Sequence, residues 1–301
     1  MNEFELIDAV VAALGDATTG ADVRLGPGDD AAVTMPPADF DLVSSIDALV
    51  ADVHFPADAD PALIGYRAMM VSASDLAAMG ATGGFALVAL SLEHDDALWL
   101  RDLASGMARA VNACSMRLVG GNIARGPLTI AVSVHGYVPA GAALLRSGAR
   151  AGDDVFVTGR LGAAAAAVAA GRLADCRDGV AMDPLAERYF RPMARLAEGA
   201  ALRGVASSAI DLSDGLLQDL GHVCRASGVG VELESALVPV AEGASLHQAL
   251  SGGDDYELCF TVRGAPPALA VPVQRIGRVV AEPGVRLDGQ PATGGYQHFG
   301  R

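Results

Sequence analysis

Hydrophobic and polar positions alternate along the whole chain in patterns typical of helices and strands. Helical spacing of apolar residues predicts helices in the first half over residues 3–14, 61–79 and 95–114. Apolar runs predict strands there over residues 42–50, 85–92 and 128–138. Pro61 suits the first turn of its helix, and Gly120 and Gly121 predict a break before the last strand.

The second half continues the alternation of helices and strands. Its predicted helices cover residues 162–171, 185–202 and 216–226, and its predicted strands 154–158, 208–211, 229–233, 256–262 and 273–279. Few tight hairpins interrupt the pattern, which favours an α/β fold of the α+β type over a sandwich. A Gly- and Ala-rich stretch predicts two domains, residues 1–139 and 150–301, joined by a linker over residues 140–149.

Composition narrows the class of protein. A chain of 301 residues that is 51% hydrophobic can build two domains of ordinary size. Its apolar runs are too short to cross a membrane, and its first residues lack the positive charge of a signal peptide. The four cysteines are too widely spaced for a zinc site and read as reduced thiols. We therefore expect a cytoplasmic protein without a membrane partner.

Charge and the absence of lysine constrain the chemistry further. A formal charge of −15 disfavours nucleic acid, whose phosphates require clustered Lys and Arg. The chain contains no lysine, which excludes a P-loop, the phosphate-pairing lysine of protein kinases and any Schiff base. Any ATP chemistry must therefore use metal ions, backbone N–H groups and arginine.

Acidic residues recur at junctions marked by Gly or Ser. These segments are Gly26-Pro-Gly-Asp-Asp30, Ser44-Ser-Ile-Asp47, Ser74-Asp75, Asp211-Leu-Ser-Asp214 and Gly252-Gly-Asp-Asp255. Mg²⁺ prefers hard oxygen ligands and takes one or two carboxylates per ion, so several junctions indicate several ions. Each segment also has a structural interpretation, as a turn or a helix cap. Asp75 fits that interpretation least, because it lies on a mostly apolar helix where an unpaired carboxylate is costly.

Other candidate ligand-binding residues carry weaker signals. Glycine at Gly120-Gly-Asn122 allows a ligand to approach the backbone, and Arg146 is a candidate for binding phosphate. Tyr296 and Phe299 can stack on an aromatic ring or simply hold the C-terminal tail. His54 lies between apolar residues, where a structural histidine is the ordinary interpretation and a substrate contact the alternative.

Taken together, the motifs resemble a known family. They are Gly28-Asp-Asp-Ala-Ala-Val33, Ser74-Asp-Leu-Ala-Ala-Met-Gly-Ala81, Arg125-Gly-Pro-Leu128, Ser147-Gly-Ala149, Ile210-Asp-Leu-Ser-Asp-Gly-Leu216 and Asp255-Tyr-Glu-Leu258. In them the chain resembles the thiamine-monophosphate kinases, within the superfamily of aminoimidazole ribonucleotide synthetase and selenophosphate synthetase. The resemblance implies a two-domain PurM-like fold and a homodimer whose N-terminal sheets form a barrel, with a C-terminal α/β domain.

The resemblance also implies roles for individual residues. It assigns several magnesium ions to Asp30, Ser45, Asp47, Asp75, Asp211 and Asp214, with Ile46 and Asn122 as carbonyl ligands. It assigns ATP to Gly121, Asn122, Arg146 and Ser213, and thiamine monophosphate to His54, Asp254 and Tyr296. Arg146, Asp47 and Asp75 are the expected catalytic residues.

Three positions depart from the commonest family pattern. Ile46 replaces a usual Thr, Asn122 a usual Asp, and Asp254 a usual Glu. Asn122 lacks the charge of a carboxylate, so one metal site is expected to be weaker. Two alternatives remain open: another ATP-using enzyme of the superfamily, and an inactive relative that binds thiamine phosphates.

Overall fold

The computed structural model describes residues 3–297. Its α-helices are α1 (Glu3–Leu14), α2 (Pro61–Ala78), α3 (Ala97–Ala113), α4 (Ala163–Ala169), α5 (Pro184–Phe190), α6 (Leu196–Leu202), α7 (Leu216–Ser227) and α8 (Leu246–Ser251). Short 3-10 helices cover Gly15–Thr18 and Ser235–Leu237.

The strands form three sheets. They are β1 (Val23–Leu25), β2 (Val33–Thr34), β3 (Phe40–Val50), β4 (Thr82–Leu92), β5 (Arg117–Arg125), β6 (Thr129–Pro139), β7 (Asp154–Thr158), β8 (Ser208–Asp211), β9 (Gly230–Leu233), β10 (Leu258–Val262), β11 (Val273–Val280), β12 (Gly284–Leu287) and β13 (Gln290–Pro291). The predicted α/β content is confirmed.

The described residues divide into two compact units. The N-terminal unit comprises residues 3–76, 82–140 and 173–182, and the C-terminal unit comprises residues 77–81, 141–172 and 183–297. The predicted linker at residues 140–149 stays a prediction.

The N-terminal unit is built on a four-stranded sheet in the order β3-β6-β4-β5. Strands β4 and β5 are parallel, whereas β6 is antiparallel to both β3 and β4. Side chains alternate between two faces of a strand, and on β4 Ala86, Val88 and Leu90 are buried while Leu87 and Ala89 on the other face are exposed. Within the described residues this sheet is open, with β3 and β5 at its edges.

The C-terminal unit is built on a seven-stranded sheet in the order β13-β12-β9-β11-β7-β10-β8. Successive residues of β7 supply two cores on opposite faces. Val155 and Val157 pack in the cluster that contains Leu220 of α7, and Phe156 packs in the cluster that contains Leu202 of α6. The core positions therefore follow the two-residue period of a strand.

Two predictions about elements were wrong. Gly120 and Gly121 do not break the chain but lie within β5. A Cβ at Gly121 would collide with the Val88 carbonyl of the paired strand, which explains the glycine at this position. Glycine thus permits the close approach of two strands there. The single helix predicted over residues 185–202 is two helices, because Pro192 lacks an N–H and cannot continue α5.

Two further expectations concern membrane-spanning helices and the cysteine thiols. In the part of the chain that the structure describes, no helix is both long and apolar enough to cross a membrane. Cys114, Cys176, Cys224 and Cys259 are free and buried, as expected for reduced thiols.

Candidate active site

A polar cluster joins β3 to α2 inside the N-terminal unit. The alternation of β3 directs Ser45 and Asp47 to its partly covered face, and Ile46 to the opposite face, where it is 67% exposed. The Ser45 hydroxyl donates a hydrogen bond to Oδ2 of Asp75 on α2. The structure therefore brings together three of the residues predicted to bind metal.

The electrostatics of this cluster indicate crowded negative charge. Burial and the neighbouring Asp75 carboxylate raise the pKa of Asp47 to about 6, although a hydrogen bond from Ser72 favours its charged form. Two carboxylates that repel in this way would be stabilised by a cation placed between them. Asp75 thus has partners despite its apolar helix, as the sequence required.

A second group of predicted residues lines one cavity of the N-terminal unit. The cavity has a volume of about 990 Å³, and its lining includes Asp30, Ile46, Gly121 and Asn122. Asp30 is exposed, and its backbone N–H donates to Asp29 Oδ1 at 2.8 Å. Asp30 and Asn122 thus line the same cavity.

His54 has local structural contacts. Its Nδ1 accepts a hydrogen bond from the Val50 N–H at 3.0 Å, and its carbonyl accepts one from Arg67 Nε at 3.4 Å. These bonds fix the turn that follows β3. They match the structural interpretation of His54, and its substrate role stays a prediction.

In the C-terminal unit, the loop after β8 meets the segment before β10 and the C-terminal tail. The Asp254 N–H donates to the Ser213 carbonyl at 2.8 Å, and the Tyr296 N–H donates to the Asp214 carbonyl at 2.9 Å. Gln218 Nε2 joins the same group by donating to Asp214 Oδ2 at 3.0 Å and to the Tyr296 carbonyl at 2.8 Å. Four predicted site residues are therefore brought together, although the predictions gave them three different ligands.

Asp219 of α7 is a functional candidate that the sequence reasoning missed. Its Oδ2 accepts hydrogen bonds from the backbone N–H groups of Asp214 and Gly215, each at 3.1 Å. Burial, then the charges of Asp211 and Asp214, raise the pKa of Asp219 to about 8. The available signal was an acidic residue at a buried position of an amphipathic helix.

Arg146 lies at the surface of the C-terminal unit. Its carbonyl accepts a hydrogen bond from the Ser227 hydroxyl at 3.2 Å. Burial, followed by the charges of Arg225 and Arg146, lowers the pKa of His222. The guanidinium of Arg146 therefore lies near α7, and its exposure leaves it accessible to a phosphate.

The candidate oxygen donors suit magnesium, although the described carboxylates are not already arranged around one ion position. Among residues 3–297, no group of three or more His, Cys, Asp or Glu side chains is placed to hold a metal ion. The candidate atoms are carboxylate, hydroxyl and amide oxygens, which are the hard ligands that Mg²⁺ prefers. Because Mg²⁺ keeps several waters and binds substrate phosphates, a pair such as Asp47 and Asp75 fits its needs.

Comparisons with known proteins identify the class. Residues 28–138 match the model for the N-terminal domain of AIR synthase related protein, and residues 150–290 match the model for its C-terminal domain. The chain belongs to the AIR synthase related family and has its two-domain PurM-like fold of mixed α/β content.

Individual relatives narrow the family. The thiamine-monophosphate kinase of Escherichia coli (strain K12) is 44% identical over 304 residues, covering 92% of this chain and 93% of the relative. The crystal structure of thiamine-monophosphate kinase from Stenotrophomonas maltophilia K279a is 36% identical, with a TM-score of 0.87, 97% of this chain covered and 98% of that chain. A structure of AaThiL complexed with AMPPCP and TMP is 30% identical, with a TM-score of 0.79 and coverage of 99% and 97%. Within the wider family, this chain is an enzyme of the thiamine-monophosphate kinases.

Proposed function

We propose that this enzyme transfers the γ-phosphoryl group of ATP to thiamine monophosphate and so forms thiamine diphosphate. The observation that carries the proposal is the near full-length match to thiamine-monophosphate kinases, one of which is solved in complex with AMPPCP and TMP. The absence of lysine agrees with it, because the phosphates then depend on backbone groups, arginine and metal-bound carboxylates.

Magnesium would be held by carboxylate, hydroxyl and carbonyl oxygen atoms of the residues named above. The proposed ligands are Asp30, Ser45, the Ile46 carbonyl, Asp47, Asp75, Asn122, Asp211 and Asp214. When bound, Mg²⁺ offsets the negative charge of the phosphates. The raised pKa of Asp47 supports this assignment, since its carboxylate and that of Asp75 repel each other in the absence of a cation.

The remaining groups would hold the nucleotide and align the transfer. Gly121 and Asn122 line the cavity of the N-terminal unit and are proposed to bind ATP together with Ser213 and Arg146. Arg146 would neutralise phosphate charge during the reaction. The acceptor phosphate has a second pKa near 6, so it is largely deprotonated at neutral pH and needs no general base. We therefore propose direct in-line transfer without a phosphoenzyme.

The organic half of thiamine monophosphate would be held by His54, Asp254 and Tyr296. Thiamine carries a cationic thiazolium and an aminopyrimidine, so a carboxylate can offset its charge and an aromatic face can stack on its rings. Tyr296 is 45% exposed, which leaves its ring available for such a contact. Phe299, the second aromatic residue considered from the sequence, lies outside the described residues.

We further propose a homodimer in which the N-terminal sheets of two copies complete a barrel. The support is the outer face of the four-stranded sheet, where Leu42 is 54% exposed, Ile46 67% and Leu87 37%. Exposed apolar side chains grouped on one face of a sheet favour an interaction surface there. Free, buried cysteines agree with a cytoplasmic location.

A coupled assay of ADP release tests the proposed activity. With ATP and magnesium, ADP should appear only when thiamine monophosphate is added. Asp75→Asn should abolish this release, and the matched variant Asp102→Asn, at an exposed position of α3, should retain it. Substrate-independent ADP release would favour another enzyme of the superfamily, and binding of thiamine monophosphate without ADP would favour an inactive relative.

A further inference from the structure

The segment between α8 and β10 has an unusual backbone. Asp254 and Tyr256 both adopt positive φ angles, of 61° and 50°. This left-handed region is uncommon for any residue other than glycine, and it is a true outlier for a bulky side chain such as tyrosine. Strain of this kind persists where the surroundings over-determine the conformation, most often at ligand-binding sites.

The side chains on either side of Tyr256 are buried, and their hydrogen bonds anchor the segment. Asp255 is buried, and its Oδ1 accepts a hydrogen bond from the Gly162 N–H at 2.7 Å. Glu257 is fully buried and accepts hydrogen bonds from Arg188 at 2.6 Å, from Arg195 at 2.6 and 2.7 Å, and from Thr158 at 2.6 Å. Although burial disfavours its charged form, these donors hold the pKa of Glu257 below its ordinary value.

Backbone bonds fix the other side of the segment. The Asp254 N–H donates to the Ser213 carbonyl and the Tyr256 N–H donates to the Leu212 carbonyl, both at 2.8 Å. Residues 255 and 257 are therefore buried, while Asp254 and Tyr256 are half-buried and lie beside the loop after β8.

The two strained residues are joined to each other. The Tyr256 hydroxyl donates a hydrogen bond to Asp254 Oδ1 at 2.8 Å. The anchored backbone fixes the position of the tyrosine ring, and its hydroxyl in turn fixes the direction of the carboxylate. A hydrogen bond to a charged acceptor is among the stronger bonds of a folded protein.

We propose that Tyr256 is a specificity-determining positioning residue, which holds the Asp254 carboxylate in the orientation that receives the cationic, amino-bearing half of the acceptor substrate. The inference rests on the proposed function and extends it to Tyr256, which lies in the motif Asp255-Tyr-Glu-Leu258 but had been given no role. Asp254 has one methylene fewer than glutamate, so its reach is short and its orientation matters more. A hydroxyl that directs this carboxylate would affect acceptor binding and leave ATP binding alone.

Steady-state kinetics of Tyr256→Phe test the inference, because this change removes only the hydroxyl. We expect the KM for thiamine monophosphate to rise about 10-fold, as the loss of a hydrogen bond to a charged group implies, with the KM for ATP unchanged. Asp254→Asn should raise the same KM, and the double variant should be no worse than Asp254→Asn alone, because Tyr256 acts through Asp254. Tyr189→Phe, a buried tyrosine of α5 in the same unit, is the matched control and should leave both KM values unchanged.

If the unsubstituted enzyme forms thiamine diphosphate, any of three results for the variants would overturn the inference. They are an unchanged KM for thiamine monophosphate in Tyr256→Phe, equal increases in both KM values, and independent effects that multiply in the double variant. A lower melting temperature with unchanged KM values would assign the tyrosine to stability only. If the unsubstituted enzyme released no ADP with thiamine monophosphate, the proposed function would fail as well.

Discussion

Asp47→Asn should abolish activity in the presence of magnesium, and it should stabilise the folded enzyme in the absence of magnesium. In the folded protein, burial and the Asp75 carboxylate raise the pKa of Asp47 from 3.8 to about 6. A carboxylic acid with a raised pKa contributes stability that is fully present below the unfolded pKa and is lost as the pH rises through the folded pKa. The asparagine side chain stays neutral, so it avoids this loss.

The size of the effect follows from the shift in pKa. A difference of about 2 units corresponds to about 3 kcal/mol in the free energy of unfolding at neutral pH, and this is an upper bound. The advantage of Asp47→Asn should therefore be near zero at pH 4, grow between pH 4 and pH 6, and level off above pH 7. Unlike the variant, the unsubstituted enzyme should regain stability when magnesium is added, because a ligand bound only by the folded state stabilises that state.

Urea unfolding in the presence of a chelator, repeated between pH 4 and pH 8 and again with magnesium, measures this difference. Asp102→Asn removes an exposed carboxylate of α3 and should change the free energy of unfolding by about 0.5 kcal/mol or less at every pH. If Asp47→Asn were less stable than the unsubstituted enzyme at pH 8 without magnesium, Asp47 would be a structural residue and the reasoning would be refuted.

Three further substitutions test other parts of the account. Asn122→Asp should lower the magnesium concentration that gives half-maximal activity, because a carboxylate replaces a neutral amide. An unchanged magnesium dependence of activity would show that residue 122 contacts no ion. Tyr296→Ala should raise the KM for thiamine monophosphate about 10-fold and leave that for ATP unchanged, since hydrogen bonds of the Tyr296 backbone, which the substitution keeps, hold this part of the tail. Equal changes in both KM values would refute the division of roles. Arg195→Ala should lower the free energy of unfolding by about 3 kcal/mol, because it deprives the buried Glu257 of a charged partner that Arg188 replaces only in part. A loss below about 1 kcal/mol in a denaturation curve would contradict this.

The periodic parts of the fold could be predicted because burial imposes a period on the sequence. Helix Glu3–Leu14 and strands Asp154–Thr158 and Ser208–Asp211 have the predicted bounds. The continuation of β5 through Gly120 and Gly121 could not be recognised, because glycine at a turn and glycine beneath a neighbouring strand look alike in one sequence. The order of the strands depends on pairings distant in the chain, which local patterns do not contain.

The candidate site was accessible to prediction in part. Asp75 stood out because a carboxylate on an apolar helix needs a partner, and the structure supplies Ser45. Asp219 contacts backbone N–H groups and Tyr256 contacts the Asp254 side chain, and such contacts appear only once the chain is folded. The magnesium and substrate roles of the predicted residues stay predictions.

The fate of the γ-phosphate in a single turnover tests the proposed transfer from ATP to thiamine monophosphate. Excess enzyme is mixed with magnesium, thiamine monophosphate and ATP labelled in its γ-phosphate, and the labelled products are separated over time. Direct transfer predicts that the label passes into thiamine diphosphate in step with ADP formation and never onto the protein. Label released as inorganic phosphate, or retained in ATP when thiamine monophosphate is present, would contradict it.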